Sequence, residues 1–295
     1  MRALSLEGRE REYSPSSCIG GDYAPFLRAY AERSAAALRG RAAHRDLPYG
    51  DKASQRLDLF VPPRATNAAA APPLLVFIHG GYWQELSKQS SLFGAPGCVD
   101  AGFAFAAIDY TLAPAATIGE IARECRSALR WLHAHGPALG FDASRIAVAG
   151  SSAGAHLAAM CCVRGWAGDA DLPAGLPAAG VLVSGVFELA PLIGTSIDQA
   201  LSLTPDDAAA WSPIRLPLGD FPPTAVCWGQ IETAEFQRQS RAFAQAIAAA
   251  DAPRPELFEV PARNHFDVIL DLCERGTPLG DATLRLLEAL RDRAP

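Results

Sequence analysis

Short, near-continuously apolar runs alternate with helix-length segments along this chain, and that alternation restricts its fold more than any other feature. Strands are expected at Gln55–Val61, Leu74–His79, Phe103–Asp109, Arg145–Gly150, Gly180–Ser184, Thr224–Trp228 and Glu256–Val260. Runs that stay apolar on successive residues suit parallel strands buried on both faces. Helices are expected near Phe26–Arg39, Ile118–His135, Ser152–Arg164, Ala234–Ala250 and Leu279–Arg293. In the second of these, Ile121, Cys125, Ala128, Leu129 and Leu132 recur at helical spacing and give one apolar face. Repeated βα units predict an α/β fold with a mostly parallel, doubly wound sheet and helices on both faces.

The 295 residues show no internal repeat, and a single domain over 1–295 is expected, with residues 1–50 as an N-terminal arm and helix packing on or over a site. The run Arg64–Pro73 reads as a loop between early strands, and Gly165–Ala178 as an irregular excursion. Thr195–Pro223 is long and irregular enough to form a small lid.

One junction in this series is chemically special. Gly150-Ser151-Ser152-Ala153-Gly154 lies between an expected strand and an expected helix, the setting of a nucleophile elbow. Such a turn holds its serine, here Ser152, in a strained conformation, so its close neighbours must be small. A serine hydroxyl is a poor nucleophile at neutral pH and needs a base, which in turn needs an orienting carboxylate. Among the six histidines, His265 alone follows the last expected strand near the C-terminus. Glu232 follows Thr224–Trp228 and is the preferred acid by strand order. Glu188 and Asp267 compete with it, Asp267 reading more readily as a residue that fixes the histidine loop. His79-Gly80-Gly81-Tyr82-Trp83 follows another strand, where glycines let backbone amides approach a substrate oxygen. The amides of Gly81, Tyr82 and Ala153 are the candidate oxyanion hole. His79 is expected to anchor its loop rather than act as a base.

Other chemistries find less support. Net charge is −6 with no block of like charges, which argues against nucleic-acid or anionic-membrane partners. No apolar run is long enough to span a bilayer, and the start turns charged too early for a secretory signal. Seven cysteines, an odd number with Cys161-Cys162 adjacent, do not read as a disulfide framework, so a cytoplasmic location is expected. No phosphate-binding glycine motif and no C-x-x-C appears, so neither a cofactor nor a metal is expected. His133 and His135 sit two apart on a helix and point to different faces, and His156 is expected to pack within the elbow helix. The expected partner is a small-molecule substrate, with a homodimer as the one assembly considered.

With these residues assembled, the chain resembles the kynurenine formamidase (arylformamidase) family of α/β-hydrolase fold serine hydrolases. The likeness runs through Tyr13-Ser14-Pro15-Ser16, Pro48-Tyr49-Gly50, His79 to Gln84, Ser152 to Met160, Val183 to Leu189, Glu235 to Ser240 and His265-Phe266. It implies an α/β-hydrolase fold and a triad on Ser152, Glu232 and His265, the same residues the strand order selects. Ser151 stands where relatives often have histidine, and Glu232 where they have aspartate. The resemblance also implies hydrolysis of a formamide, N-formylkynurenine or a related N-formyl amine. A carboxylesterase or thioesterase of small acyl esters would use the same machinery, and an inactive hydrolase fold serving as a binding protein is a third reading. Tyr82, Trp83, Phe187 and Phe266 are the expected aromatic wall for an aryl substrate, with core packing the alternative for Phe187.

Overall fold

The computed structural model describes residues 4–41, 43–63, 71–165 and 172–293. Parts of the expected Arg64–Pro73 loop and Gly165–Ala178 excursion lie outside the described residues. Eight strands form one sheet: β1 (Ala43–Pro48), β2 (Arg56–Phe60), β3 (Leu74–Ile78), β4 (Ala104–Ile108), β5 (Ile146–Ser151), β6 (Ala179–Val183), β7 (Thr224–Ile231) and β8 (Glu256–Asn264). Their spatial order is β1-β2-β4-β3-β5-β6-β7-β8. β2 pairs antiparallel with β1 and β4, and every pairing from β4 through β8 is parallel. β3 and β5 lie side by side with Ile78 level with Gly150, which sets the glycine loop after β3 beside the turn after β5.

The helices are α1 (Leu6–Glu12), α2 (Ala24–Ala37), α3 (Ala95–Asp100), α4 (Ile118–Leu139), α5 (Ala153–Cys162), α6 (Asp198–Leu201), α7 (Pro205–Ala210), α8 (Ala234–Ala248) and α9 (Pro278–Arg291). The pleat of the sheet sorts the core into two layers. Leu74, Val76 and Ile78 of β3 pack with Leu129 of α4, Leu157 of α5 and Phe243 of α8. Leu75 and Phe77, on the other face, pack with Tyr30 of α2, Cys98 of α3 and Leu287 of α9. All five β3 side chains are buried, and each contributes roughly 1.5–3 kcal/mol by leaving water. Continuous apolar strands are what such two-faced burial selects.

α4 opens with a complete capping box. The Thr117 hydroxyl accepts from the Glu120 amide while the Glu120 carboxylate accepts from the Thr117 amide, which satisfies two otherwise orphaned donors. The helix runs to Leu139, four residues beyond the expected end at His135, and closes on Gly140 in the left-handed region (φ 90°).

The sequence pattern does not predict β1. Its residues, Ala-His-Arg-Asp-Leu-Pro, are mostly exposed, and a bulge at Asp46 (φ 54°) breaks its register with β2. An edge strand with polar side chains carries no hydrophobic period to find. β7 and β8 also run past their expected ends, into Ile231 and Asn264.

Candidate active site

β5 ends at Ser151, and α5 begins at Ala153. Ser152 between them adopts φ 58°, ψ −122°, a conformation that costs a side-chain-bearing residue about 1–3 kcal/mol. The fold enforces this turn through contacts only glycine tolerates. A Cβ on Gly154 would lie 2.0 Å from the Ile78 carbonyl oxygen, and one on Gly150 would lie 2.1 Å from the Gly154 oxygen. Helix and strand thus approach at van der Waals contact. The Ser152 amide donates to the Val183 carbonyl at 2.9 Å, tying the turn to β6.

His265 follows β8 and is buried between rings, with Phe236 at 4.3 Å and Phe266 at 5.4 Å between centroids. Its Nδ1 lies 2.9 Å from Oε2 of Glu232. An ionised carboxylate only accepts hydrogen bonds, so Nδ1 carries the proton and Nε2 is left as the basic nitrogen. Glu232 is itself buried, and its other oxygen, Oε1, accepts from the Gly229 amide at 2.6 Å and from the Ser184 hydroxyl at 2.5 Å.

The two competing carboxylates are engaged elsewhere. Glu188 lies 3.6 Å from both Arg215 and Arg238 in a surface ion network. Asp267 accepts the Asn264 amide at 2.6 Å, inside the turn that carries His265.

The loop after β3 holds three consecutive residues at positive φ: Gly81 (88°), Tyr82 (47°) and Trp83 (62°). A Cβ on Gly80 would sit 2.7 Å from the Ser151 oxygen and 3.2 Å from the Ser152 Cβ, so this loop runs directly against the elbow. Among the described residues, no acceptor meets the amides of Gly81 and Tyr82 or that of Ala153, the first residue of α5. His79 anchors the loop base: its Nδ1 lies 3.0 Å from the Gly80 carbonyl oxygen, and its ring stacks on Tyr110 at 4.3 Å. Burial pushes its pKa down to about 4, so the ring is neutral near pH 7.

Ser152, His265, Gly81 and Tyr82 open onto one cavity of about 470 Å³. Its lining includes the aromatic rings of Tyr30, Phe93 and Phe266. Tyr23 and Phe26 stack on Phe266 at 5.3 and 5.7 Å.

Two of the expected wall aromatics lie elsewhere. Trp83 is fully buried, and its indole N–H donates to Nδ1 of His156 at 3.3 Å, while Nε2 of that histidine lies 2.7 Å from the Trp211 carbonyl oxygen. Phe187 is fully buried too, stacked on Phe243 at 4.2 Å. A Cβ on Gly185 would meet the Phe187 ring at 2.2 Å, so the chain doubles back after β6 and carries the ring into the core.

The N-terminal segment supplies much of the cavity that the motifs do not. Glu10, Tyr13, Ser14, Ser16, Tyr23 and Tyr30 all line it. Tyr13 is buried where its hydroxyl donates to Glu235 at 3.0 Å and accepts from Gln239 at 2.7 Å. The Tyr82 hydroxyl donates to the Tyr13 carbonyl at 2.5 Å, and the Tyr30 hydroxyl donates to the Phe266 carbonyl. Glu10 accepts from both the amide and the hydroxyl of Ser196, linking arm to lid at 2.6 and 2.7 Å. These partners lie far apart in sequence; the expected arm over residues 1–50 and the Tyr13-Ser14-Pro15-Ser16 likeness name the segment but none of its individual hydrogen bonds.

Among the described residues, no group of three or more His, Cys, Asp or Glu is placed to hold a metal ion. Also among them, no helix is long and apolar enough to cross a membrane.

Comparison with known proteins agrees with this architecture. The BD-FAE family model matches residues 57–172, a segment that carries both the glycine loop and the elbow. Kynurenine formamidase of Salmo salar is 29% identical over 82% of this chain and 81% of its own length. Kynurenine formamidase of Danio rerio is 28% identical over 97% of this chain and 98% of its own. A crystal structure of a candidate thioesterase from Silicibacter sp. TM1040 superposes with a TM-score of 0.78 at 28% identity, covering 94% of this chain and 98% of that one. The chain is a serine hydrolase of the α/β-hydrolase fold and a homologue of the kynurenine formamidases.

Proposed function

We propose that this protein hydrolyses an aryl formamide, N-formylkynurenine or a related N-formyl amine, through a triad of Ser152, His265 and Glu232. One observation carries the reading. A strained serine, a buried histidine on a carboxylate and a loop of unpaired amides face one cavity lined by aromatic rings.

In the proposed reaction the Ser152 hydroxyl attacks the formyl carbon and passes its proton to Nε2 of His265. Glu232 stabilises the resulting imidazolium through Nδ1. The negative oxygen of the tetrahedral intermediate is held by the amides of Gly81, Tyr82 and Ala153, each such donor being worth about 3–4 kcal/mol in the transition state. The carbon–nitrogen bond breaks as His265 returns the proton to the departing amine, which leaves a formyl ester on Ser152. Water then attacks that ester with His265 again as base, releasing formate and restoring the serine. An aryl amine leaves more readily than an alkyl amine, so a triad built for esters can cleave its formamide. Tyr82 and Phe266 line the cavity where an aryl group would rest.

A cytoplasmic location is part of this proposal, supported by seven cysteines that form no disulfide among the described residues, six of them buried. Hydrolysis of small carboxylic esters or thioesters is the second reading, favoured by the likeness to the candidate thioesterase. Measuring products separates the two. Incubation with N-formylkynurenine should release formate and amine in equal amounts. The Ser152→Ala variant should lose roughly 10⁴-fold or more of that turnover. Ester cleavage with no formate from the formamide would leave the second reading in place.

A further inference from the structure

Among the described residues, Ser184 is a strained and fully buried hydroxyl of the site with no part in the proposed bond-making steps. It follows β6 directly and adopts φ 52°, a left-handed conformation that serine rarely takes. Its amide donates to the Cys227 carbonyl of β7 at 2.8 Å, which pins the strained backbone to the strand that leads to Glu232. Its hydroxyl donates to Oε1 of Glu232 at 2.5 Å. That oxygen also takes the Gly229 amide at 2.6 Å, while the second oxygen faces Nδ1 of His265 at 2.9 Å.

A glutamate side chain has three rotatable bonds, and a carboxylate with one free oxygen could turn away from the imidazole. Two donors on Oε1 remove that freedom, and both come from the ends of neighbouring parallel strands. Strain held in place at a functional site is the expected mark of a residue whose orientation matters. Hydrogen bonds to a charged acceptor are roughly twice as strong as neutral ones, so the hydroxyl also lowers the electron density that Oε2 offers to His265.

We propose that Ser184 is a positioning residue for the reaction: it fixes the Glu232 carboxylate in the orientation that serves His265 and tempers its basicity. The inference rests on the triad reading given above. Removing the hydroxyl leaves a carboxylate that is less well held and more basic. Whenever Oε2 still faces Nδ1 the imidazolium is favoured, so the acid limb of the kcat/KM pH profile moves to higher pH. The time the carboxylate spends turned away lowers kcat. Substrate contacts are unaffected, so the loss falls on kcat and leaves KM in place.

The test uses Ser184→Ala and Ser184→Gly in the full-length protein. Glycine accepts φ 52° without strain, so Ser184→Gly should melt no lower than Ser184→Ala and keeps the test valid if the alanine variant folds poorly. Both should lose about tenfold in kcat, the scale of one hydrogen bond to a charged group. Both should also show the acid limb displaced upward. Activity within twofold of the parent in the glycine variant, or an equal loss with an unmoved acid limb, would overturn the proposal. Ser152→Ala and His265→Ala serve as controls: if either keeps full turnover, the triad reading itself fails, whatever Ser184 does.

Discussion

Ser152, the proposed nucleophile, holds a backbone conformation that few residues tolerate. The cost of φ 58° is met by contacts at Gly150, Gly154 and Gly80, so reactivity at one atom depends on the absence of side chains at three others. The same dependence made this residue legible from sequence: strand, small residues, serine, small residues and helix are all local. His265 and Glu232 were legible for a related reason, since each follows its own strand in a fixed chain order. Ser184 was not, because its meaning lies in a 2.5 Å contact with a residue 48 positions away. Trp83 lies in the core rather than on the cavity wall, and of the two readings open for Phe187 the structure shows core packing, because sequence gives a residue's neighbours along the chain and not the direction of its side chain. Glu232→Ala should reduce kcat/KM by at least about a hundredfold, whereas Glu188→Ala and Asp267→Ala should each cost less than about tenfold. Steady-state kinetics of the three variants provides the check, and a larger loss at Glu188 or Asp267 would reassign the acid.

Elements matter here chiefly as ways to bring loops together. Parallel pairing of β3, β5, β6, β7 and β8 places their C-terminal ends on one edge, where the glycine loop, Ser152, Ser184, Glu232 and His265 converge. β3, β4, β5, β6 and β7 announce themselves by near-continuous apolar runs, so most of the sheet could be read before the structure. β1 and the individual contacts of the arm could not, because the first is a polar edge and the second are hydrogen bonds between residues far apart in the chain. The tightest junction between elements is Gly154 against β3. Gly154→Ala should therefore destabilise the protein by about 3 kcal/mol or more, since neither backbone can retreat. A lower denaturant midpoint with an unchanged slope would show it, and a midpoint equal to the parent's would mean that the helix can shift.

At the scale of the molecule, two buried neutral histidines shape the response to acid. Burial lowers the pKa of both His79 and His156 from 6.5 to about 4. The unfolded chain therefore binds two protons that the native state refuses, and stability falls as pH drops from 6.5 toward 4. Asp109 opposes this over part of the range: burial raises its pKa from 3.8 to about 6, so the native state holds a proton that unfolding releases. Two histidines outweigh one aspartate, and the urea midpoint should be lower at about pH 4.5 than at pH 7. An unchanged or higher midpoint in acid would contradict the neutral histidine assignments.

Residues of the arm, the lid and the edge of the sheet line a cavity that holds aromatic rings and the proposed nucleophile, an arrangement that suits an aryl formamide. The most direct test of that account is kcat/KM for N-formylkynurenine set against kcat/KM for p-nitrophenyl acetate with the same purified protein. The account predicts the larger value for the formamide; a larger value for the ester would contradict it.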